Sequence, residues 1–504
     1  MTAPATDHPA IRKVVIVGGG TAGWMAAALI AKVIGDQVAI ELVESDDIGI
    51  IGVGEATIPP IQHVNAVLGI DEAEFLRETK ATIKLAIRFE NWGAIGESYY
   101  HSFGAAGRNL PFCSFHHFWN RARKAGIAAD YWDFDLNHLC AREGKFARIQ
   151  VDDPTWHLPY AYHFDSGLYG QYLRRYSARL GVVRTEGMIA HARRDGDSGD
   201  ITALVLRDGR EVAGDLFIDC SGSRGLLIQQ QLNVGYEDWG HWLPCDRAMA
   251  VPSARFEQTS PFTRAIAHGA GWQWRIPLQH RNGNGLVYSS RHCSDDQAAE
   301  ILLGNLDSEQ LADPRIIPFR TGRARRQWHR NVVAVGLASG FLEPLESTSI
   351  YLIQSAIVRL LHLFPRAGID ERQVAEYNWQ SQIEYETVRD FIILHYHATA
   401  RDDSAFWRDL RAMRVPDRLA AKIDLFRATG TLSQDPLDIF MEPSWVQVLM
   451  GQGIVPADHH PLADGPTDAE LAEQLRQLAA MKREPVPNMP LHDDFLKAYG
   501  GLAG

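Results

Sequence analysis

The 504-residue chain is 46% hydrophobic and 22% charged, so it can build a large packed core and is not disordered by default. Its 50 lysines and arginines against 62 aspartates and glutamates give a formal charge of −12, which argues against nucleic acid or an anionic membrane as the main partner. The five cysteines never stand as CxxC, so the sequence predicts no zinc cluster and no disulfide framework, and a reducing cytoplasm fits best.

The first apolar stretch, residues 14–31, carries no charge and follows Arg12 and Lys13. Such a stretch is also found in signal peptides and membrane anchors. Three consecutive glycines, residues 18–20, stand in its middle and would weaken a spanning helix. We therefore expect a soluble, uncleaved protein without a membrane partner.

The same stretch predicts a βαβ unit. Residues 13–17 form a strand, Met25–Val33 a helix and Val38–Glu44 a second strand, with a Gly-x-Gly-x-x-Gly turn between the first strand and the helix. The glycines permit a tight turn and a close approach of the backbone to a pyrophosphate. The carboxylate of Glu44, at the end of the second strand, suits a ribose diol, which favours FAD or NAD over NADP. The alternative is a glycine-rich turn without a ligand. The predicted cofactor contacts here are Gly18, Gly20, Thr21, Ala22, Gly23 and Glu44.

Two later strands are predicted to belong to the same sheet. Residues 215–219 and 331–335 are apolar and run into small-residue turns, and a long helix follows the second one. Strand ends that meet helix starts are where open α/β sheets bind ligands, so Gly336, Leu337 and Ile350 are further predicted cofactor contacts. From residue 370 onward the pattern is mostly helical, with a capping box at Thr467–Glu470.

A Trp-x-Trp-x-Ile-Pro run at residues 272–277 is the most specific local pattern. In an extended segment Trp272 and Trp274 point to the same side, which by itself indicates a packed sheet face. Together with the Gly-Gly-Gly-Thr-Ala-Gly-Trp stretch at residues 18–24, the run closely resembles the flavin-dependent halogenases, especially their tryptophan and indole branch. In that family the paired tryptophans are thought to separate the organic substrate from the flavin.

The resemblance implies an α/β fold with an FAD-binding, flavin-monooxygenase-like (Rossmann-type) domain, which we place at residues 1–368. A mainly helical, substrate-covering subdomain follows at residues 369–504. It also implies the chemistry: FADH2 from a separate flavin reductase, O2, and chloride or bromide together yield hypohalous acid, which then halogenates an indole-type substrate. No metal is implied.

Lys84 matches the essential lysine of the family, within the run Ile-Lys-Leu-Ala-Ile-Arg-Phe at residues 83–89. An ammonium can donate a hydrogen bond to hypohalous acid, whereas a neutral amine can take the halogen as a haloamine. The neutral form requires the pKa to fall from about 10.4 through desolvation. The sequence leaves both forms open, and the alternative is a solvated surface lysine.

The octapeptide Glu-Pro-Leu-Glu-Ser-Thr-Ser-Ile at residues 343–350 resembles the second signature of the family. Glu346 aligns with the carboxylate that orients the halogen donor or accepts the ring proton. The backbone N–H groups of Thr348 and Ser349, at a helix start, are the predicted halide site. Serine stands at 349 where the family usually has glycine, which restricts φ and adds a hydroxyl. The alternative reading is a capped helix start, with Ser347 or Thr348 as the N-cap.

Three aromatic residues, His101, Phe103 and Trp445, resemble the walls that hold an indole ring. The tyrosine pair and acidic residue that bind the amino-acid part of tryptophan in specific relatives are not found after Trp445. We therefore expect an open site that accepts indole or a simple derivative, with C3 as the favoured position. One alternative is a flavin-dependent aromatic hydroxylase. Another is a nucleotide-binding regulatory flavoprotein, which the acidic balance disfavours.

Overall fold

A computed structural model describes residues 10–48, 54–149, 153, 156–366 and 368–502 of the chain. Within these residues the strands are β1 (Lys13–Val17), β2 (Ala39–Glu44), β3 (Gly54–Ala56), β4 (Thr82–Lys84), β5 (Ala86–Glu90), β6 (Ser98–Ser102), β7 (Ala161–Asp165), β8 (Val183–Glu186), β9 (Ile189–Arg194), β10 (Ile201–Leu206), β11 (Glu211–Ala213), β12 (Leu216–Asp219), β13 (Tyr236–Asp238), β14 (Arg247–Ala254), β15 (Phe262–His268), β16 (Gly271–Pro277), β17 (Arg281–Tyr288), β18 (Arg315–Pro318), β19 (Gly322–Ala324), β20 (Trp328–His329), β21 (Val332–Ala334) and β22 (Gly340–Phe341). The helices are α1 (Thr21–Ile34), α2 (Pro60–Leu68), α3 (Glu72–Glu78), α4 (Phe115–Lys124), α5 (Leu136–Arg142), α6 (Ser166–Arg179), α7 (Asp295–Gly304), α8 (Ser349–His362), α9 (Glu371–His397), α10 (Ala405–Ala412), α11 (Asp417–Thr429), α12 (Glu442–Gly451), α13 (Asp468–Arg483) and α14 (His492–Phe495).

The predicted βαβ unit lies at the centre of a six-stranded sheet with the order β20-β21-β12-β1-β2-β8. All pairings in it are parallel except β20 with β21. The fully apolar segment 14–17 of β1 is buried on both faces, as expected for a central parallel strand covered by helices. The four predicted strands of this sheet are confirmed, and α1 begins four residues earlier than predicted, directly at the glycine turn.

A second, seven-stranded sheet has the order β18-β14-β17-β16-β15-β5-β6. Strand β16 contains the two tryptophans and is buried along its whole length between β15 and β17. Opposite Trp274 stands Gly285 of β17, which leaves room for the indole ring. At the far edge β6 pairs with β5 and carries His101, so this sheet joins the tryptophans to the predicted aromatic pocket.

A small sheet with the order β3-β7-β4 positions the predicted lysine. Lys84 ends β4, opposite Ala161 of the central strand β7. On the other side of β7, the backbone N–H of Thr57 donates to Tyr162 just after β3 ends. Strand β7 therefore fixes Lys84 of β4 and Thr57, which follows β3, relative to each other.

The segment after residue 370 is mostly helical, as predicted, and α9 is its longest helix with 27 residues. The capping box at Thr467 is confirmed at the start of α13. Phe391 of α9 and Trp445 of α12 belong to the same buried cluster as Trp272 and Trp274. The domain boundary at residue 368 stays a prediction. Within the described part of the chain, no helix combines the length and apolarity that crossing a membrane requires.

Candidate active site

A cavity of about 760 Å³ opens at the carboxyl end of the parallel sheet. Eight of the nine predicted cofactor contacts line it: Gly18, Gly20, Thr21, Ala22, Glu44, Gly336, Leu337 and Ile350. Gly23 lies behind this lining, where a Cβ atom would stand 1.9 Å from the carbonyl oxygen of Gly18. Among the described residues no side chain caps the start of α1, so its first N–H groups are available to an anion.

Glu44 closes the glycine turn from the second strand. Its carboxylate lies so close to Gly19 that a Cβ atom there would be 1.4 Å from Oε2. Arg184 donates to Oε1 at 2.6 Å, and Arg174 lies 3.6 Å from the same oxygen. The carboxylate of Glu44 is therefore held at the edge of the cavity, at the end of β2.

Glu55 is a second acidic residue on the cavity wall, and burial raises its pKa to about 7.

The two tryptophans line the same cavity, together with residues of the 343–350 segment. Their ring centroids are 6.2 Å apart, and both side chains are buried. The indole N–H of Trp272 donates to Oε1 of Glu343 at 3.0 Å, and the hydroxyl of Tyr396 donates to the same oxygen at 2.6 Å. The wall is thus anchored by the buried carboxyl group of Glu343, the first residue of the 343–350 segment, for which the sequence predicted no role.

Lys84 is completely buried, so the alternative of a solvated surface lysine is wrong. Its amine donates to the carbonyl oxygen of Thr57 at 3.0 Å and to the hydroxyl of Ser347 at 2.8 Å. Burial lowers the pKa of Lys84 to about 7 because a low-dielectric environment disfavours the ammonium, although Glu346 opposes this shift. The Phe103 ring centroid is 5.1 Å from the amine.

Ser347 connects the amine to the cavity, because it lines the cavity and accepts the hydrogen bond from Lys84. It is also the residue with backbone strain in this segment, with φ of +60° in the left-handed region. Ser349, where glycine is usual in relatives, is simply the first residue of α8. From the sequence, Ser347 was predicted only as a possible helix cap. The position of its hydroxyl next to Glu346 was the one feature of the sequence that could have indicated a contact with Lys84.

Glu346 is buried between two histidines. Nδ1 of His101 lies 2.9 Å from Oε2, and Nε2 of His395 lies 2.8 Å from Oε1. Burial alone would raise the pKa of Glu346, but the interactions with His101 and His395 outweigh it and lower the pKa to about 2. The carboxyl group is therefore ionised at neutral pH. His395 lies on α9 within no recognised motif, and sequence reasoning missed it.

The predicted halide site forms the start of α8, with Thr348 in the N-cap position and Ser349 and Ile350 on the cavity wall. Thr348 is buried, and its hydroxyl oxygen has no hydrogen-bond partner within the part of the chain that the structure describes. No described side chain caps this helix. The helix start thus offers free N–H groups and a free hydroxyl.

Two of the three predicted aromatic contacts meet the lysine and carboxylate directly: Phe103 lies beside Lys84, and His101 beside Glu346. Trp445 lies one layer further out. It contacts Phe391 at 4.8 Å between ring centroids, and Phe391 in turn lies 5.6 Å from His101.

The environment of Trp445 is polar on one side. Its indole N–H donates to Asp438 at 3.1 Å, and the amine of Lys422 lies 3.9 Å from the centroid of its ring. Lys422 also lies 3.3 Å from Asp438, so the two charges are paired. Phe440 stacks on Phe391 at 3.9 Å between ring centroids and lies 6.3 Å from the ring of His101.

Solved structures of flavin-dependent halogenases share the overall fold of this chain. Xcc4156 from Xanthomonas campestris matches with a TM-score of 0.95 and 50% identity over 97% of this chain and 98% of that one. BrvH from Brevundimonas sp. BAL3 matches with a TM-score of 0.94 and 45% identity over 98% and 99% of the two chains.

Sequence comparison identifies the family. The model of the tryptophan halogenase family matches residues 13–468. Tryptophan 7-halogenase RebH from Lentzea aerocolonigenes is 34% identical, over 97% of this chain and 99% of its own. Tryptophan 6-halogenase SttH from Streptomyces toxytricini is also 34% identical, over 97% and 98%. The chain belongs to the tryptophan halogenase family of flavin-dependent enzymes, which are oxidoreductases.

Proposed function

We propose that this enzyme halogenates an indole-type aromatic substrate, using FADH2, O2 and chloride or bromide. The observation that carries the proposal is the arrangement along one cavity. The glycine turn lies at one part of its wall, Trp272, Trp274 and Ser347 at another, and Lys84 is one hydrogen bond beyond Ser347. The relatives RebH and SttH are named for the halogenation of tryptophan, which contains an indole ring.

FAD fits the glycine turn because the uncapped start of α1 favours a pyrophosphate and Glu44 stands at the end of β2 for a ribose diol. When bound and reduced, the flavin would supply two of the four electrons that reduce O2, and the halide would supply the other two, which gives hypohalous acid and water. A separate flavin reductase would provide FADH2. The residues Gly336, Leu337 and Ile350 bound the same space opposite the glycine turn and would contact the flavin.

The halide would bind at the start of α8. The N–H groups of Thr348 and Ser349 favour an anion because of the helix dipole and the missing cap. The buried hydroxyl of Thr348 has no partner among the described residues, so it adds a donor without breaking another hydrogen bond. Ser349 lines the cavity next to Ile350, so a halide held by its N–H group would lie beside a predicted flavin contact.

The tryptophan wall favours halogenation over the alternative of direct aromatic hydroxylation. A hydroxylase must let its substrate reach the flavin, whereas Trp272 and Trp274 are buried, packed side chains at the cavity wall. A small molecule such as hypohalous acid would pass them more easily than an indole. The oxidant would then meet Lys84, which would either donate a hydrogen bond to it or take up the halogen.

The carboxylate Glu346 would act with Lys84. It is ionised, buried and electrostatically coupled to the amine, so it can orient the polarised halogen donor or accept the proton that the ring loses after electrophilic attack. General-base groups of this kind contribute on the order of 10²–10⁴ in rate. His101 holds one of its two oxygens in place.

The substrate would be indole or a simple derivative rather than free tryptophan. The rings near His101, those of Phe391 and Phe440, offer flat apolar walls for an electron-rich ring. The acidic side chain in this region that contacts Trp445, Asp438, is already paired with Lys422. It is therefore not free to bind the ammonium group of an amino acid.

The test supplies purified enzyme with FAD, a flavin reductase, NADH, indole, and chloride or bromide. The expected product carries the halogen isotope pattern in mass spectrometry. Indole should be converted faster than tryptophan. Hydroxylated indole formed in the presence of halide would support the hydroxylase instead.

A further inference from the structure

Glu346 has a second histidine neighbour that belongs to none of the sequence motifs. His395 lies near the end of α9, and its side chain is completely buried. Its Nε2 atom lies 2.8 Å from Oε1 of Glu346, the oxygen that His101 does not contact. The two carboxylate oxygens thus face two different histidines, on β6 and on α9.

The hydrogen bonds of His395 define where its protons are. Nδ1 lies 2.8 Å from the carbonyl oxygen of Phe391, and because a carbonyl only accepts, Nδ1 carries a hydrogen. Nε2 faces a carboxylate oxygen, which also only accepts when ionised. Without a proton between them, two lone pairs would meet at 2.8 Å in a buried site.

The geometry of this second contact is bent. Among the described residues neither Nε2 of His395 nor Oε1 of Glu346 has a hydrogen-bond partner at a favourable angle. The attraction between them is therefore mainly a charge interaction, and Oε1 keeps a lone-pair direction free. A carboxylate oxygen can therefore accept a further hydrogen bond in that direction.

Packing prevents the imidazole from turning away. Its ring centroid lies 4.8 Å from that of Phe89, 5.2 Å from that of Phe391 and 6.1 Å from that of Trp92. The side chain of Gln452 donates to the backbone carbonyl of His395 at 2.8 Å, which ties this turn of α9 to the end of α12. The ring orientation is determined by its neighbours as well as by Glu346.

We propose that His395 is a positioning residue for the halogenation reaction: it holds a proton on Nε2 against Oε1 and thereby keeps Glu346 ionised and fixed in orientation. This inference rests on the proposed function of Glu346. Among the residues that the structure describes, the other titratable groups that face Glu346 are His101 and Tyr99 from β6 and Lys84 from β4. Of these, His101 already holds the opposite oxygen. Burial and the charge of Glu346 raise the pKa of Tyr99.

Two variants separate charge from packing. His395→Phe keeps a ring among the aromatic neighbours but removes both nitrogens, so we expect kcat to fall by roughly 100-fold. His395→Gln retains an uncharged donor but no positive charge, so it should recover only part of the rate, because the contact with Oε1 is mainly a charge interaction. In both, loss of the positive charge raises the pKa of Glu346, so the acidic limb of the kcat profile should move to higher pH by about one unit or more.

The matched control is His397→Gln on the same helix, because the ring of His397 contacts the backbone carbonyl of Leu410 instead. It should leave the pH profile unchanged. Flavin affinity and the thermal unfolding midpoint of each variant are measured in parallel. A lower midpoint with an unshifted acidic limb in both His395 variants would reduce His395 to a structural residue and overturn the proposal.

An activity-independent readout distinguishes this inference from the proposed function. In ¹⁵N-histidine NMR spectra, the His395 signals are identified by their absence from His395→Gln. From the two acceptors that face them, we expect both ring nitrogens of His395 to carry a proton in the wild type, and Glu346→Gln to remove the proton from Nε2. A neutral His395 in the wild type overturns the inference even if halogenation occurs, whereas an inactive wild type with a doubly protonated His395 overturns only the function.

Discussion

Trp272 donates its indole N–H to Glu343 at 3.0 Å, which ties the tryptophan wall to the segment that carries Glu346 three residues later. The hydroxyl of Tyr396, next to His395 on α9, donates to the same oxygen at 2.6 Å. The buried carboxyl group of Glu343 therefore connects strand β16, which carries Trp272, with helix α9, which carries Tyr396. Glu343 itself belongs to the segment that contains Glu346. Burial raises the pKa of Glu343 to about 7, while the two donors oppose this shift.

Replacement of this group should weaken the wall. Glu343→Ala leaves the donors of Trp272 and Tyr396 unpaired, which costs about 1–3 kcal/mol for each buried group. Glu343→Gln keeps one acceptor oxygen for both donors and should cost much less. We expect the alanine variant to release more hypohalous acid into solution, measured with an added chemical trap. Equal leakage in the two variants would contradict a role for this carboxyl group in the wall.

The carboxyl group of Glu343 should also make the free energy of unfolding depend on pH. Because the pKa of Glu343 is raised from 4.5 to about 7 in the folded state, its contribution is fully present below pH 4.5 and is lost as pH rises through about 7. Glu343→Gln removes this dependence. The slope of unfolding free energy against pH between these values should therefore be more positive in Glu343→Gln than in the wild type, as measured by urea denaturation.

Gly285 should be required for the position of Trp274. A Cβ atom at this glycine would lie 1.9 Å from Cζ2 of the indole ring, so Gly285→Ala must displace the ring. Overpacking of this kind costs about 1–3 kcal/mol. We expect a lower unfolding midpoint and more trapped hypohalous acid. The control is Gly269→Ala, where a Cβ atom has open space and neither quantity should change.

Lys84→Ala should abolish halogenation while flavin affinity, measured by fluorescence titration, stays within about twofold, a change smaller than 1 kcal/mol. The reason is that Lys84 contacts Thr57 and Ser347 but not the glycine turn. Lys80→Ala in the same segment is the control and should remain active. Retained halogenation in Lys84→Ala would exclude the lysine from the reaction.

The pH dependence of the rate should report the form in which Lys84 acts. A neutral amine has two N–H groups, which match its two acceptors, and one lone pair that remains free for the halogen. With a pKa of about 7, the neutral fraction grows as pH rises through that value. We therefore expect kcat for halogenation to increase through about pH 7 and then level off. A decrease over the same interval would instead indicate the ammonium as hydrogen-bond donor.

The glycine turn allows folding and cofactor binding to be separated. In Gly20→Ala the added Cβ atom has no atom of the described residues within 4 Å apart from its chain neighbours, so the flavin-free protein should keep its unfolding midpoint. The added methyl group would lie at the cavity wall, and we expect flavin affinity to fall at least about tenfold, equivalent to about 1.4 kcal/mol. Gly23→Ala, by contrast, clashes with the backbone of Gly18 and should lower both quantities. A stable Gly23→Ala with normal flavin affinity would contradict this account.

Local patterns predicted much of the fold and the candidate site. The βαβ unit and the strands at residues 216–219 and 332–334 follow from apolar runs that end in glycine, a signal read within a few neighbouring residues. The capping box at Thr467 is equally local. Lys84 and Glu346 were indicated by motif resemblance, although their burial and their partners were not.

Other site residues gave no local signal because their contacts join distant parts of the chain. His395 meets Glu346 only when α9 packs against the seven-stranded sheet, and the Tyr396–Glu343 bond depends on the same packing. Trp445 contacts Phe391, which in turn contacts His101, and its contact with the substrate stays a prediction. Side-chain layers of this kind are chosen by packing volume, which short-range periodicity does not encode.

The amino-acid sequence by itself determined that this protein has a dinucleotide-type turn, a paired-tryptophan strand, and a lysine and a carboxylate in recognisable segments, because each depends on residues adjacent in the chain. Only the tertiary structure decided the pKa of Lys84, the ionised state of Glu346 and the anchoring of Trp272. Those properties arise from burial and from charges and hydrogen bonds contributed by other elements, so they exist only once the two sheets and α9 have packed together.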